Sequence, residues 1–242
     1  MPVLLLMVFS VSVSVGIAVV IGVLRAAGKQ PLPRPVLEPS SFERPCLFHR
    51  PDRWLAVRSR NVFSVQTALG LANPKPCPMY EGLAGEQKLF IAPPVGGWIL
   101  VVGSGLPDPG EDVDACFKFL LNASRKLGRV QFFNANPVLH HHAWVRADHG
   151  RIQRAYAWAG RTLWAQGGIT PAEKLLDLQC FDYSDPDEAA SVMNSDSVVS
   201  NVDKVPLLAA RWSLDPARIE GRLLENEKGV SGDPNYVADG RV

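Results

Sequence analysis

The chain has 242 residues, 47 % apolar and 20 % charged, with 25 Lys and Arg against 24 Asp and Glu. That length and balance admit one sizeable domain with appendages, or two small domains, and exclude a chain disordered throughout. A formal charge of +1 gives no overall field to draw nucleic acid or an anionic membrane face, so nucleic acid is not an expected partner.

Val3 to Leu24 carries no charge over 22 residues. At about 1.5 Å per residue it is long enough for the roughly 30 Å hydrocarbon core, and residues 1–28 read as a single-pass transmembrane anchor holding the protein to the membrane through residues 3–24. Arg25, Lys29 and Arg34 follow it closely, which places the bulk of the chain in the cytoplasm by the positive-inside bias. The alternative is a cleaved signal peptide and an exported domain, for which Ala26-Ala27-Gly28 offers small residues. The missing basic n-region and the long apolar core speak for a retained anchor. Residues 29–53 are proline-rich and read as a semi-extended linker.

A folded α+β domain is expected over 54–180. Trp54 to Ser59 suits a strand, and Val62, Val65, Ala68 and Leu69 recur at helical spacing before Gly70. Asn73 to Gly85, rich in proline and glycine, reads as a loop. Lys88 to Ser104 then forms two apolar runs joined by Pro-Pro-Val-Gly-Gly. The run Trp98-Ile99-Leu100-Val101-Val102 lacks alternation and so reads as an interior strand covered on both faces.

The next helix is expected to be capped by Asp108, with Pro109 at its first position and Glu111 completing a capping box. Val113, Cys116, Phe117, Leu120, Leu121 and Leu127 give it one apolar face, and Gly128 ends it. Val130 to Ala135 is a strand. His141 to Ala147, Arg151 to Ala157 and Arg161 to Ala165 follow as an antiparallel meander, and Thr170 and Glu173 form a capping box for a short helix. The first six elements match the βαββαβ order, so the expected fold is a ferredoxin-like core extended by the meander and preceded by one transmembrane helix.

Residues 181–202 read as an acidic, serine-rich connector, 203–226 as a helical hairpin and 227–242 as a polar tail. In the hairpin Val205, Leu208, Ala209 and Trp212 line one face, and Asp215-Pro216 opens a second helix. The spacing of Ala209, Ser213 and Ile219 is similar to helix-turn-helix DNA readers, with Arg211, Arg218 and Arg222 available to phosphates, though Asp215, Glu220 and Glu225 offset them.

Chemistry-bearing motifs are few. The cysteines at 46, 77, 116 and 180 form no C-x-x-C pair, which argues against a zinc knuckle or thioredoxin-type motif. Cys116 reads as a small core residue; Cys46 and Cys77 have surroundings in which they could pair in an exported protein. The stretch from Gly103 to Asp108 stands where a phosphate-cradling loop would. Asp108 replaces the third glycine, however, and no G-K-[ST] ending follows. His140-His141-His142 is the metal-like cluster: on a strand His140 and His142 share a face, and His149 is the nearby third candidate, with zinc the ion such ligands would hold. No other cofactor is implied. No G-x-S-x-G elbow or other catalytic pair can be named. Tyr156, Trp158 and Trp164 read as core packing or as an aromatic surface for a partner.

The stretches WLAVRS, VQTALGL and IAPPVGGWILVVG resemble a recurrent group of uncharacterised bacterial proteins over Trp54 to Leu178. The resemblance implies a shared domain and carries over no site. Three functional expectations follow. The first is a membrane-anchored protein whose α+β domain binds a macromolecular partner, a protein, without catalysis. The others are a metal-dependent hydrolase using His140, His142 and His149, and a membrane-tethered regulator with a helix-turn-helix-like C-terminus.

Overall fold

The structure, a computed structural model, describes residues 51–183, 196–219 and 226–235. In chain order the elements are β1 (Arg53–Val57), α1 (Val62–Ala68), β2 (Leu71–Pro78), α2 (Met79–Leu83), β3 (Leu89–Ile91), β4 (Ile99–Val102), α3 (Val113–Leu127), β5 (Val130–Asn136), β6 (His141–Asp148), β7 (Arg151–Trp158), β8 (Thr162–Gln166), α4 (Pro171–Leu175), α5 (Asp196–Trp212) and β9 (Lys228–Pro234), with a short 3-10 turn at Pro216–Arg218 before β9. The strands form one nine-stranded sheet in the order β2-β9-β3-β4-β1-β5-β6-β7-β8, antiparallel at every pairing.

This corrects the expected ferredoxin-like core. Two strands that the sequence disguises enlarge the sheet. Leu71–Pro78, expected from Asn73 on to belong to a loop rich in proline and glycine, is the edge strand β2, where a residue without an N–H costs no interior ladder bond. Lys228–Pro234, expected within a polar tail, is β9, which inserts between β2 and β3. The chain therefore leaves α1 into a remote edge strand and a second helix before reaching β3, and the βαββαβ order is broken.

The membrane assignment is corrected as well. No helix among the described residues is long and apolar enough to cross a membrane. The longest, α5, has 17 residues and carries Asp203, Lys204 and Arg211. Residues 3–24, on which the transmembrane, single-pass and membrane-location expectations rested, lie outside the described residues, as do most of the linker and Cys46. What is described is a sheet-rich domain.

The run Ile99–Val102 is fully interior: β4 pairs with β3 on one side and β1 on the other, and every residue in it is buried. Both faces of the sheet are covered. On one, Leu55, Val57, Ile99, Val101 and Phe132 pack with Val65 of α1 and with Cys116, Leu120 and Ala123 of α3. On the other, Trp54, Leu100, Phe133, Trp144, Tyr156 and Trp158 pack with Val202, Val205, Leu208 and Ala209 of α5, together with Met79 and Leu83 of α2. The stretch expected as a connector thus contributes the first turns of the helix that covers the sheet. Tyr156, Trp158 and Trp164 are all buried, so they form core and not a partner surface.

Two expected caps differ in outcome. Thr170 and Glu173 make the reciprocal capping box of α4. In α3, however, the cap is Asp112, whose side chain accepts from Ala115 N at 2.8 Å. Asp108 is used upstream. Its Oδ1 accepts from Gly110 N at 2.8 Å, and its Oδ2 lies 3.3 Å from Arg53 Nη1. The carboxylate that replaces the third glycine of a nucleotide loop therefore ties its own loop to the end of β1.

Candidate functional site

The histidines of the expected metal cluster are placed apart. His142 points into the covered face beside α5, only 1 % exposed, between the rings of Trp144 at 5.7 Å and Trp158 at 6.5 Å. Its Nδ1 donates to the His140 carbonyl at 3.3 Å and its Nε2 accepts from Asn201 Nδ2 at 3.2 Å, which occupies both nitrogens of a neutral ring. Burial pushes its pKa down to about 4; the bond to His140 opposes the fall and His141 adds to it. His140 lies in the β5–β6 turn with a left-handed backbone, φ 55°. His149 lies beyond the opposite end of β6, seven residues along and so roughly 20 Å from His142 at about 3.3 Å per residue. It is exposed and pairs with Asp148 Oδ1 at 2.6 Å. Among the described residues no three His, Cys, Asp or Glu side chains are grouped as a metal would need.

Beside His142 lies a buried charge network that joins β6, β7 and α4. Glu173 Oε1 accepts from Trp144 Nε1 at 2.7 Å and from Arg154 Nε at 2.8 Å, while Oε2 accepts from Thr170 N at 2.7 Å. Burial raises the Glu173 carboxyl, but the bonds from Arg154, Thr170 and Trp144 together outweigh it and hold the group below its ordinary value. Arg154 also donates to Cys180 Sγ at 3.0 Å and to the carbonyls of Ala155, Gln166 and Gly167. Burial pushes the Cys180 thiol up to about 11, Arg154 opposing and Glu173 reinforcing the rise, so it is a poor nucleophile at neutral pH. With its donors and acceptors turned on each other, this cluster anchors α4 and the following chain to the sheet.

A different arrangement is found where α5 ends. Here a cavity of about 480 Å³ opens between the β3–β4 turn and the chain after α5. The turn is tight because Val95 and Trp98 exchange backbone bonds of 2.8 and 2.9 Å around Gly96 (φ 57°) and Gly97 (φ 79°), both in the left-handed region that a two-residue type I′ hairpin needs. The opposite wall forms as α5 stops: Ser213 N makes a last helical bond to Ala209 O at 2.7 Å, and the Asp215 side chain accepts from Ala217 N at 3.0 Å. The expected second helix of the hairpin is here a 3-10 turn of three residues; its continuation beyond Ile219 lies outside the described residues.

Val95, Ala210, Leu214 and Ile219 give the cavity an apolar lining, while Ser213, Asp215 and Arg218 contribute polar groups. Its volume falls in the range of about 300–1,000 Å³ usual for ligand pockets. Buried polar atoms lie in and behind its wall without a protein partner: Ser213 Oγ, Trp212 Nε1, Gln131 Oε1 and Trp54 Nε1. They belong to one continuous assembly. Gln131 Nε2 donates to Trp212 O at 3.1 Å, and the Trp54 and Trp212 rings both contact Phe133, at 5.3 and 5.9 Å between centroids. Such orphaned groups are uncommon in protein interiors and each lost bond is costly, which sets this end of the domain apart from the satisfied network around Glu173.

The PPVGG reversal and the helix start at Asp215-Pro216 are each visible in the sequence, but separately. Nothing in the sequence signals that segments more than a hundred residues apart would face each other across a groove. By architecture the described residues form a helix-covered, nine-stranded antiparallel domain, with an open groove between the β3–β4 turn and the end of α5. In comparison with protein-family models, curated proteins and solved structures, the chain matches none.

Proposed function

We propose that this domain is a non-catalytic recognition module that receives a protein partner in the groove between the β3–β4 turn and the end of α5. One observation carries the reading: an open cavity with Val95, Ala210, Leu214 and Ile219 in its lining lies between the β3–β4 turn and the end of α5. An apolar side chain of the partner would bury against Val95, Leu214 and Ile219. The thiols and the buried acid in the described region sit in closed surroundings, which suits structure more than turnover. The hydrolase reading draws no support from His140, His142 and His149: His142 is buried with both ring nitrogens bonded, and among the described residues no three metal-ligating side chains are grouped.

The test is a photo-cross-linking residue at Arg218, which is 62 % exposed on the groove's rim, in cells producing the full chain. A discrete heteromeric adduct is expected, and Leu214→Trp, which fills the groove, should remove it without lowering the melting temperature. Adducts indifferent to Leu214→Trp, or turnover of a substrate by the purified chain, would overturn the reading.

A further inference from the structure

We propose that His142, Asn201 and the backbone of Gln179 form an acid-released latch that holds the first half of α5 and the chain following α4 on the sheet. Their bonding fixes which atoms carry hydrogen. Asn201, fully buried on α5, grips Gln179 twice: its Oδ1 accepts from Gln179 N at 3.0 Å and its Nδ2 donates to Gln179 O at 2.7 Å. Turning the amide over would set donor against donor and acceptor against acceptor at both contacts, so the group that meets His142 Nε2 at 3.2 Å is an N–H. Nε2 must then accept, and the ring keeps its one hydrogen on Nδ1, 3.3 Å from the His140 carbonyl. One imidazole thus ties together β6, α5 and the chain after α4.

A second proton has only Nε2 to occupy. There it would face the Asn201 N–H, two donors with no acceptor between them, and Asn201 cannot present its oxygen without releasing Gln179. The conflict is relieved by parting α5 from β6.

The groups around the ring offer the cation no other partner. On β6, His141 opposes protonation; on β5 the register partner is the uncharged Ala135. On β7 the Tyr156 ring lies 5.9 Å away, its hydroxyl pushed up by burial, and Arg154 is closed on Glu173 of α4. In the chain after α4 the Cys180 thiol is pushed up as well, Asp177 Oδ1 accepts from the Gln179 side chain at 2.9 Å, and Asp182 is exposed. On α5, Lys204 donates to Asp177 O at 2.9 Å and Asp203 is exposed.

The far end of α5 is held by contacts of another kind. Gln131 Nε2 donates to Trp212 O at 3.1 Å, and Arg146 lies 5.2 Å over the Trp212 ring. Acid therefore frees one half of the helix while the other stays seated, and it bares the rings of Trp144, Tyr156 and Trp158 that flank His142. The closed ring titrates near 4 and a released one near 6.5, so protons favour the open form throughout that interval, by about tenfold per pH unit and about 300-fold in all.

The test is native-state hydrogen exchange on the full chain, with pH stepped down from neutrality and low urea as a second variable. Amides of residues 201–205 and of Gln179 should lose protection about tenfold per pH unit through openings that ignore low urea. Those of Ile99–Val102 should stay better protected and exchange through a urea-sensitive opening. In His142→Phe the acid loss at 201–205 should vanish. Asn201→Asp is the second variant: its carboxylate still accepts from Gln179 N and can also accept from a protonated Nε2, so the folded ring, followed by NMR, should titrate above the parent's. The latch is overturned if residues 201–205 respond to acid as strongly in His142→Phe as in the parent, or open only together with Ile99–Val102. A ring that titrates no higher in Asn201→Asp overturns it too, and decides alone if His142→Phe does not fold.

Discussion

Arg154 Nη2 lies 2.7 Å from Glu173 Oε1, with the arginine side chain 4 % exposed and the glutamate fully buried, and this pair fixes α4 to the middle of the β6–β7 ladder. A buried ion pair adds little stability over a well-packed apolar pair, but removal of one partner strands the other charge in a medium that cannot solvate it. Glu173→Gln is therefore expected to cost about 3–5 kcal/mol, read as a lower urea midpoint at unchanged slope. Arg154→Lys should not be innocuous, because an ammonium cannot reach Glu173, Cys180 and three carbonyls at once.

The same glutamate gives a pH dependence. Its folded-state pKa is below the unfolded value, so its contribution is complete above the ordinary carboxylate range, near 4.5, and is lost as pH falls through the lower folded value. The acid limb of a stability-versus-pH curve should flatten in Glu173→Gln. An acid limb as steep in the variant as in the parent would show that other carboxylates set it.

His142 acts in a higher window. Burial lowers its pKa to about 4, whereas the unfolded chain takes up the proton near 6.5. Between these values the unfolded state binds more protons, so stability falls as pH drops from about 6.5 to about 4, by about 3 kcal/mol in total. His142→Phe keeps a ring between Trp144 and Trp158 but cannot titrate. Its stability, measured by denaturation at stepped pH, should be level across that window where the parent's declines.

The origin of that behaviour was only half legible in the sequence. The H-H-H run advertises ligands, yet the alternation of β6 sends His142 inward beside Trp144, and only the approach of Asn201 from α5 completes its bonding. Local signals succeeded where the deciding force is local: the unbroken apolar run at Ile99–Val102, the meander turns, and the Thr170 capping box. They failed where a strand is defined by its neighbours. The prolines of β2 are tolerated at the sheet edge, and β9 has so little side chain that its sequence, KGVSGDP, carries no apolar period. The groove was invisible for the same reason, since its walls meet only when the sheet and α5 are assembled.

The sparse side chains of β9 are themselves a packing requirement. A Cβ on Gly229 would lie 2.4 Å from Ile91 O and 2.5 Å from the Phe90 ring, in the narrow space where β9 slips between β2 and β3. Gly229→Ala should destabilise the domain by about 2 kcal/mol, since backbone on one side and a fully buried ring on the other leave little room to relax. Hydrogen exchange should locate the damage, with faster exchange in Leu89–Ile91 and Leu71–Pro78 and little change in the β6–β7 ladder. Uniform acceleration would mean that β9 is not an independent weak point.

The hairpin turn at the groove offers a paired test in which two adjacent glycines behave differently. Gly96 and Gly97 both have positive φ, at 57° and 79°, but a Cβ on Gly96 meets nothing within 4 Å, whereas one on Gly97 comes 3.4 Å from Arg58 Nη1. Asn-Gly is the favoured pair for a two-residue type I′ turn, because asparagine tolerates the left-handed region. Gly96→Asn is therefore expected to be neutral or to stabilise by a few tenths of a kcal/mol through the less free unfolded chain. Gly97→Ala should cost about 1–2 kcal/mol for the left-handed backbone, while its Cβ would make only ordinary contact with the Arg58 guanidinium. Thermal unfolding separates the two. Equal destabilisation by both substitutions would show that the turn is not of the type I′ form on which the groove wall depends.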